Sequence, residues 1–140
     1  MTKEPMTFER HLSYALEAAH RTVSTSLAAR LKAHGLQIPA WRVMECLDSD
    51  ERLTMGELAR RALLNPPALS KLVDRMVSEG LVHRQISAVD QRQVNLLLTN
   101  LGRRRMLQIR EDAEDQNRAL VELLDSKNGE TLRKLLSKLA

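Results

Sequence analysis

The 140-residue sequence holds three aromatic residues, Phe8, Tyr14 and Trp41, and a single cysteine, Cys46. With so few rings, base stacking on an aromatic platform is disfavoured, which argues against a single-strand nucleic-acid binder and leaves the core to aliphatic side chains. One cysteine can neither close an internal disulfide nor build a zinc cluster, which fits a reducing compartment. His11, His20, His34 and His83 share no i, i+4 ligand spacing and lack paired carboxylates at ligand spacing, so no metal and no cofactor is expected. No stretch approaches the length of a membrane span, and MTKEPMTFER carries Glu4 and Glu9 where a secretory leader would be apolar. A cytoplasmic location is expected. P-loop, dinucleotide fingerprint, nucleophile elbow and metal-hydrolase motifs are all missing, which argues against an enzyme.

What is there is a globular composition, 43% hydrophobic and 29% charged, in a length that suits one domain. The net charge is +4 and it is unevenly spread: residues 71 to 110 hold eight lysines and arginines against three carboxylates, so that segment carries +5 and the remainder −1. Positive charge gathered in one segment points to a polyanionic partner there.

Phe8, Leu12, Ala15, Leu16, Ala19, Val23, Leu27 and Leu31 recur at steps of three and four, which predicts a long first helix from Phe8 to about Ala33, stopped by Gly35. Pro39 opens a second helix to about Leu47. Thr54 and Glu57 have capping-box spacing for a short third helix ending near Ala62. Asn65-Pro66 caps and opens a fourth, with Leu69, Leu72, Val73 and Met76 on one face and Gly80 beyond its end. Residues 83 to 99, HRQISAVDQRQVNLLLT, then read as a hairpin, with Val94, Leu96 and Leu98 alternating toward one side. A long fifth helix runs to about Leu124 with Leu107, Ala113, Leu120, Val121 and Leu124 as its stripe. After a break at 125–129, a last helix capped by Asn128 carries Leu132, Leu135, Leu136 and Leu139.

The third and fourth helices meet across a short turn as a helix-turn-helix, and the hairpin after them forms a wing. The fold class is therefore mainly α with a small β-hairpin: a winged helix-turn-helix with long terminal helices. A reading helix enters the major groove by its N-terminal part, which places Pro67, Ala68, Ser70 and Lys71 nearest the bases, with Arg75 and Arg84 available to phosphates. At the wing tip Arg92 can reach the strongly negative minor groove, and Asp90 pairs with a nearby arginine to fix the tip. Arg103, Arg104 and Arg105 are either phosphate contacts or a solvated face. The terminal helices bear more apolar surface than so small a core covers. Phe8, Leu12, Leu120, Leu124, Leu132, Leu135, Leu136 and Leu139 are therefore expected at a homodimer interface, unless the last helix folds back on its own chain. Cys46 reads as a small buried hydrophobe or, alternatively, as a redox switch.

The segment GELARRALLNPPALSKLVDRMVSEGLVHRQISAVDQRQVNLLLTNLGRRRM resembles the winged core of MarR-type regulators, whose Asp-x-Arg wing, Leu-Thr pair and following glycine are matched by Asp90, Arg92, Leu98, Thr99 and Gly102. The resemblance implies a single domain. Residues of about 8–34 and 100–140 would dimerise, and about 53–99 would form the DNA-binding lobe on a pseudo-palindromic operator. It further implies a repressor released by a small molecule. GLQIPAWRVMECL resembles the second-helix segment of members that sense aromatic acids, so the expected effector is an aromatic carboxylate or its thioester. Its pocket would lie between the first and second helices, the long fifth helix and the DNA-binding lobe, within reach of Tyr14, His20, Arg21 and Trp41, although Trp41 also fits a plain core position and the other three the surface. The opening Asn65-Pro66-Pro67-Ala68 departs from the family habit of several hydroxyl side chains at the start of the reading helix, which shifts readout toward Ser70, Lys71 and DNA shape. A winged module that binds a protein partner, or DNA without sequence preference, is the rival reading.

Overall fold

The computed structural model describes residues 4–49, 51–85 and 93–140. Six α-helices and a two-stranded hairpin follow one another as α1 (Leu12–Lys32), α2 (Ile38–Asp48), α3 (Met55–Arg61), α4 (Pro66–Ser78), β1 (Val82–Arg84), β2 (Leu96–Leu98), α5 (Asn100–Leu124) and α6 (Ser126–Ser137). This is the mainly helical, winged helix-turn-helix architecture that the spacing predicts. No helix among the described residues is long and apolar enough to cross a membrane.

The first helix is shorter than its apolar stripe suggests. Phe8–Arg10 forms a separate 3₁₀ turn, and His11, at φ −74° and ψ 143°, is extended. That extended residue breaks the helix and swings the Phe8 ring to 5.5 Å from Tyr14 in an edge-on contact. The next helices start and stop as their local chemistry dictates. Gly35 and Gly80 take positive φ beyond α1 and α4. Thr54 and Glu57 exchange both capping-box bonds, at 3.1 and 3.2 Å, and the Asn65 side chain accepts from the Ala68 amide at 2.8 Å. Between α3 and α4, Leu63 sits at φ 58°. The amide of the next residue, Leu64, reaches back to the Ala59 carbonyl at 2.8 Å and closes the turn.

Two other boundaries depart from expectation. The cap of α6 is Asp125, at φ 65°, whose carboxylate accepts from the Asn128 amide at 3.0 Å, so Asn128 lies inside the helix and the break shrinks to one residue. On α5 the buried positions are Gly102, Met106, Ile109 and Gln116, while Leu107 is exposed. The helix turns Met106 and Ile109 onto the core because α1 and α2 both pack on that side.

The hairpin is antiparallel, with Val82, His83 and Arg84 opposite Leu98, Leu97 and Leu96. It is also pinned to the start of α3: the Val94 amide donates to the Leu53 carbonyl at 2.8 Å, and Thr54 and Gln93 form an isolated bridge. One aliphatic core joins everything, running from Leu31, Val43, Met44 and Leu58 through Leu69, Val73 and Met76 to Leu81, Val82, Met106 and Ile109.

Candidate nucleic-acid interface and the cleft beside it

The fourth helix is amphipathic by construction. Leu69, Val73 and Met76 are fully buried, each stabilising the lobe by about 1.5–3 kcal/mol. Packing of that face leaves Pro67, Ser70, Lys71, Asp74 and Arg75 exposed and Ala68 half-buried. Proline at the first two helical positions leaves fewer amides at the helix start, and Asn65 satisfies the Ala68 amide, so the tip of α4 is rigid before any ligand arrives.

Two of the candidate phosphate cations have partners in the chain itself. Arg84, on β1, pairs with Asp74 on α4, and Arg75 Nε donates to Glu79 Oε1 at 2.9 Å. Both pairs are solvent-exposed and so hold little energy, which leaves either arginine able to exchange its carboxylate for a phosphate. Lys71 forms no ion pair with any described residue. Asp90 and Arg92, expected at the wing tip, lie outside the described residues. Of the three consecutive arginines, Arg103 is exposed and also donates to Asp48 at 2.5 Å, tying α5 to the end of α2.

Behind this surface a cleft of about 470 Å³ opens between α1, α2 and α5, with Leu27, Trp41, Glu45, Arg110, Glu114 and Gln116 on its walls. Of the four residues expected at an effector pocket, Trp41 alone lines it. Tyr14 packs on Phe8, His20 bonds to Ser24 at 3.1 Å, and Arg21 bonds to Glu17 at 3.1 Å; all three are exposed on the N-terminal half of α1. The cation that does face the cleft is Arg110, which sequence reasoning missed. Its guanidinium donates to both oxygens of Glu45, at 2.9 and 2.7 Å, and to Asp48 at 3.1 Å. Those bonds, Glu45's first, push its pKa further above the ordinary arginine value. Deeper along α5, buried Gln116 donates to the Val23 carbonyl at 3.0 Å. His34 meets Asp112 at 2.5 Å, and Arg30 donates to the Asp112 carbonyl at 3.2 Å, fastening the end of α1. Trp41 and Glu45 are four apart and legible as a helical pair, whereas Arg110 is 65 residues from Glu45 and leaves no local trace.

The apolar ends of the molecule remain uncovered. Phe8, Leu12, Leu124, Leu132, Leu135, Leu136 and Leu139 are exposed and Leu120 is half-buried. The last helix does lie against α5, yet it has no buried residue of its own. Cys46 is buried, and burial pushes its thiol pKa up.

Comparison with known proteins gives this arrangement a lineage. A family model described as MarR family matches residues 34–93. The HTH-type transcriptional regulator TtmR of Methylorubrum extorquens (strain PA1) is 30% identical over 100 residues, 71% of this chain but 51% of TtmR, so the chain spans about half the length of that relative. Among solved structures, the transcriptional repressor CouR bound to a 23-mer DNA duplex superposes with a TM-score of 0.84 at 25% identity, covering 98% of this chain and 99% of that one. NadR in complex with 4-hydroxyphenylacetate superposes with a TM-score of 0.77 at 26% identity, covering 98% and 97%. A capped helix pair, its hairpin and the long helices on either side thus recur together and in the same order, and the chain belongs to the MarR family.

Proposed function

We propose that the protein is a homodimeric, sequence-specific double-stranded DNA-binding regulator of transcription, a repressor that leaves a pseudo-palindromic operator when a small aromatic acid or its thioester binds. The observation that carries this reading is α4. A preordered helix shows Pro67, Ser70 and Lys71 to solvent beside a hairpin, in a chain that superposes on CouR in its DNA complex over nearly its whole length. Pro67, Ala68, Ser70 and Lys71 read the major groove, while Arg75 and Arg84 exchange their exposed carboxylate partners for phosphates. Arg92 enters the minor groove and Asp90 steadies it. Residues of about 53–99 form the DNA-binding lobe.

The exposed leucines of α6 and the ends of α1 and α5, in residues of about 8–34 and 100–140, meet a second copy: Phe8, Leu12, Leu120, Leu124, Leu132, Leu135, Leu136 and Leu139. Two-fold symmetry then sets the two reading helices about one DNA turn apart. The effector occupies the cleft at Trp41, and in the dimer Tyr14, His20 and Arg21 complete its rim. The protein works in the cytoplasm and catalyses no reaction. Ligand and operator are linked reciprocally, with a coupling of about 1–3 kcal/mol.

Sequencing the genomic fragments that the purified dimer retains in excess random competitor tests this reading. One enriched palindrome, released by an aromatic acid, is expected. Retention without sequence enrichment would instead favour a non-specific DNA binder, and no retention a protein-binding module.

A further inference from the structure

The Glu45 carboxylate collects three donors, Arg110 Nε at 2.9 Å, Arg110 Nη2 at 2.7 Å and Trp41 Nε1 at 3.1 Å. All three residues line the cleft between α1, α2 and α5. A guanidinium fork beside an indole N–H is a ready-made carboxylate receptor, since both donors are fixed in direction and neither can accept. Here the carboxylate in the receptor is the chain's own. Resting on the effector-responsive reading above, we propose that Glu45 is an internal stand-in for the effector: an organic carboxylate entering the cleft takes the Arg110 fork and the Trp41 N–H, and turns Glu45 out.

The charges around the cleft require exchange rather than addition. Glu45 and Glu114 on its walls outnumber Arg110, so an anion that left Glu45 in place would meet two carboxylates and a cation already satisfied. Exchange removes that conflict, because Asp48 keeps its separate 3.1 Å grip on Arg110 and holds the fork at the cleft. The displaced Glu45 loses its tie to α5. Of the ion pairs between α2 and α5, those of Asp48 with Arg110 and Arg103 remain. Because α2 also packs on α3 and on β2, loosening it from α5 frees the reading lobe to shift, which is the differential contact an allosteric ligand needs. A neutral molecule of the same shape has no such leverage.

Trp41 is the sole tryptophan, so its emission reports this cleft in the full-length dimer. 4-Hydroxyphenylacetate and its neutral amide are titrated into the wild type, Glu45→Gln, Arg110→Gln and Arg110→Lys, with circular dichroism and sedimentation checking fold and assembly. The acid is expected to bind Glu45→Gln at least fivefold more tightly than the wild type and Arg110→Gln at least tenfold more weakly. Arg110→Lys, which keeps the charge and loses the fork, should fall between wild type and Arg110→Gln. The amide should not gain from Glu45→Gln. Acid affinity in Glu45→Gln that is unchanged or weaker, or an acid that moves Trp41 emission in neither the wild type nor Glu45→Gln, overturns the stand-in. Operator retention by the same wild-type dimer is scored separately, and its loss would count against the regulator itself, whatever the titration gives.

Discussion

A Cβ at Gly102 would stand 2.1 Å from the carbonyl oxygen of Leu81, well inside contact distance. The start of α5 and the exit from α4 are pressed together there. The Thr99 amide donates to the Leu81 carbonyl at 3.1 Å, its hydroxyl donates to the Gly80 carbonyl at 2.5 Å, and its oxygen accepts from the Gly102 amide at 3.0 Å. The contact between the two elements is thus backbone to backbone, which cannot yield as a side chain would. Gly102→Ala should cost about 1–3 kcal/mol or more in urea unfolding and weaken operator binding. Gly56→Ala is the control, since its nearest neighbour would be the Thr54 hydroxyl at 3.9 Å, and there alanine should be neutral or stabilise by about 0.4–1 kcal/mol. A Gly102→Ala protein as stable as the wild type would mean the two elements are free to separate.

The Asn65 cap makes a second, narrower case. Its side chain holds the Ala68 amide at 2.8 Å in the turn that leads into the reading helix. Asn65→Ala should lower stability by about 0.5–2 kcal/mol and reduce operator affinity, whereas Asn65→Asp, which keeps the acceptor, should restore stability. Equal stability of Asn65→Ala and Asn65→Asp would show that the cap contributes nothing.

These local devices are also what the sequence made legible. Thr54 with Glu57, Asn65 before Pro66, and the glycines at 35 and 80 act within a few residues of themselves, so the helices they bound could be read from the chain alone. Where two capping residues compete, as Asp125 and Asn128 do, the choice depends on the φ of 65° at Asp125, which the packing of α6 against α5 imposes. The phase of α5 departs from its apolar stripe at Leu107 for the same reason: Met106 and Ile109 face inward because of helices far away in sequence. The Arg110–Glu45 and Gln116–Val23 contacts join segments 65 and 93 residues apart, beyond any periodicity.

Cys46 offers a chemical test of the core. Burial raises its pKa, so at pH 8 the folded protein carries less thiolate than an unfolded chain and should react with a disulfide reagent far more slowly in buffer than in urea. The linked stability has a definite sign. A raised folded pKa adds stability that is fully present below the unfolded value, about 8.5, and is lost as pH rises through the folded pKa. Cys46→Ala should therefore flatten part of the alkaline decline in an unfolding series between pH 7 and 10. Equal thiol reactivity with and without urea would place Cys46 at the surface.

Arg92 and Lys71 should fail differently. The Lys71 ammonium has no ion pair to the described residues and, on the proposed reading, faces the bases of the major groove. Lys71→Met removes a base contact together with a charge, so it should lower the salt dependence by about one counterion and cost more on the operator than on random DNA. On the proposed reading Arg92 enters the minor groove, and Arg92→Ala should then lose about 1–3 kcal/mol on the operator and little on random DNA. Equal losses on both DNAs for Arg92→Ala would make it a phosphate contact.

The dimer is tested where the isolated chain has little to lose. Leu135 and Leu139 are 52% and 68% exposed, so Leu135→Glu with Leu139→Glu removes little packing within the protomer and should leave its secondary structure intact. Buried against a second copy, the same carboxylates would face an apolar surface with no partner, a strongly unfavourable placement. Sedimentation should then show a folded monomer. Operator binding should fall to that of a half-site, because affinity on a palindrome depends on two reading helices joined one DNA turn apart. A double mutant that remains a dimer with full operator affinity would move the interface off α6, leaving the exposed ends of α1 and α5 as its only remaining place in the terminal helices.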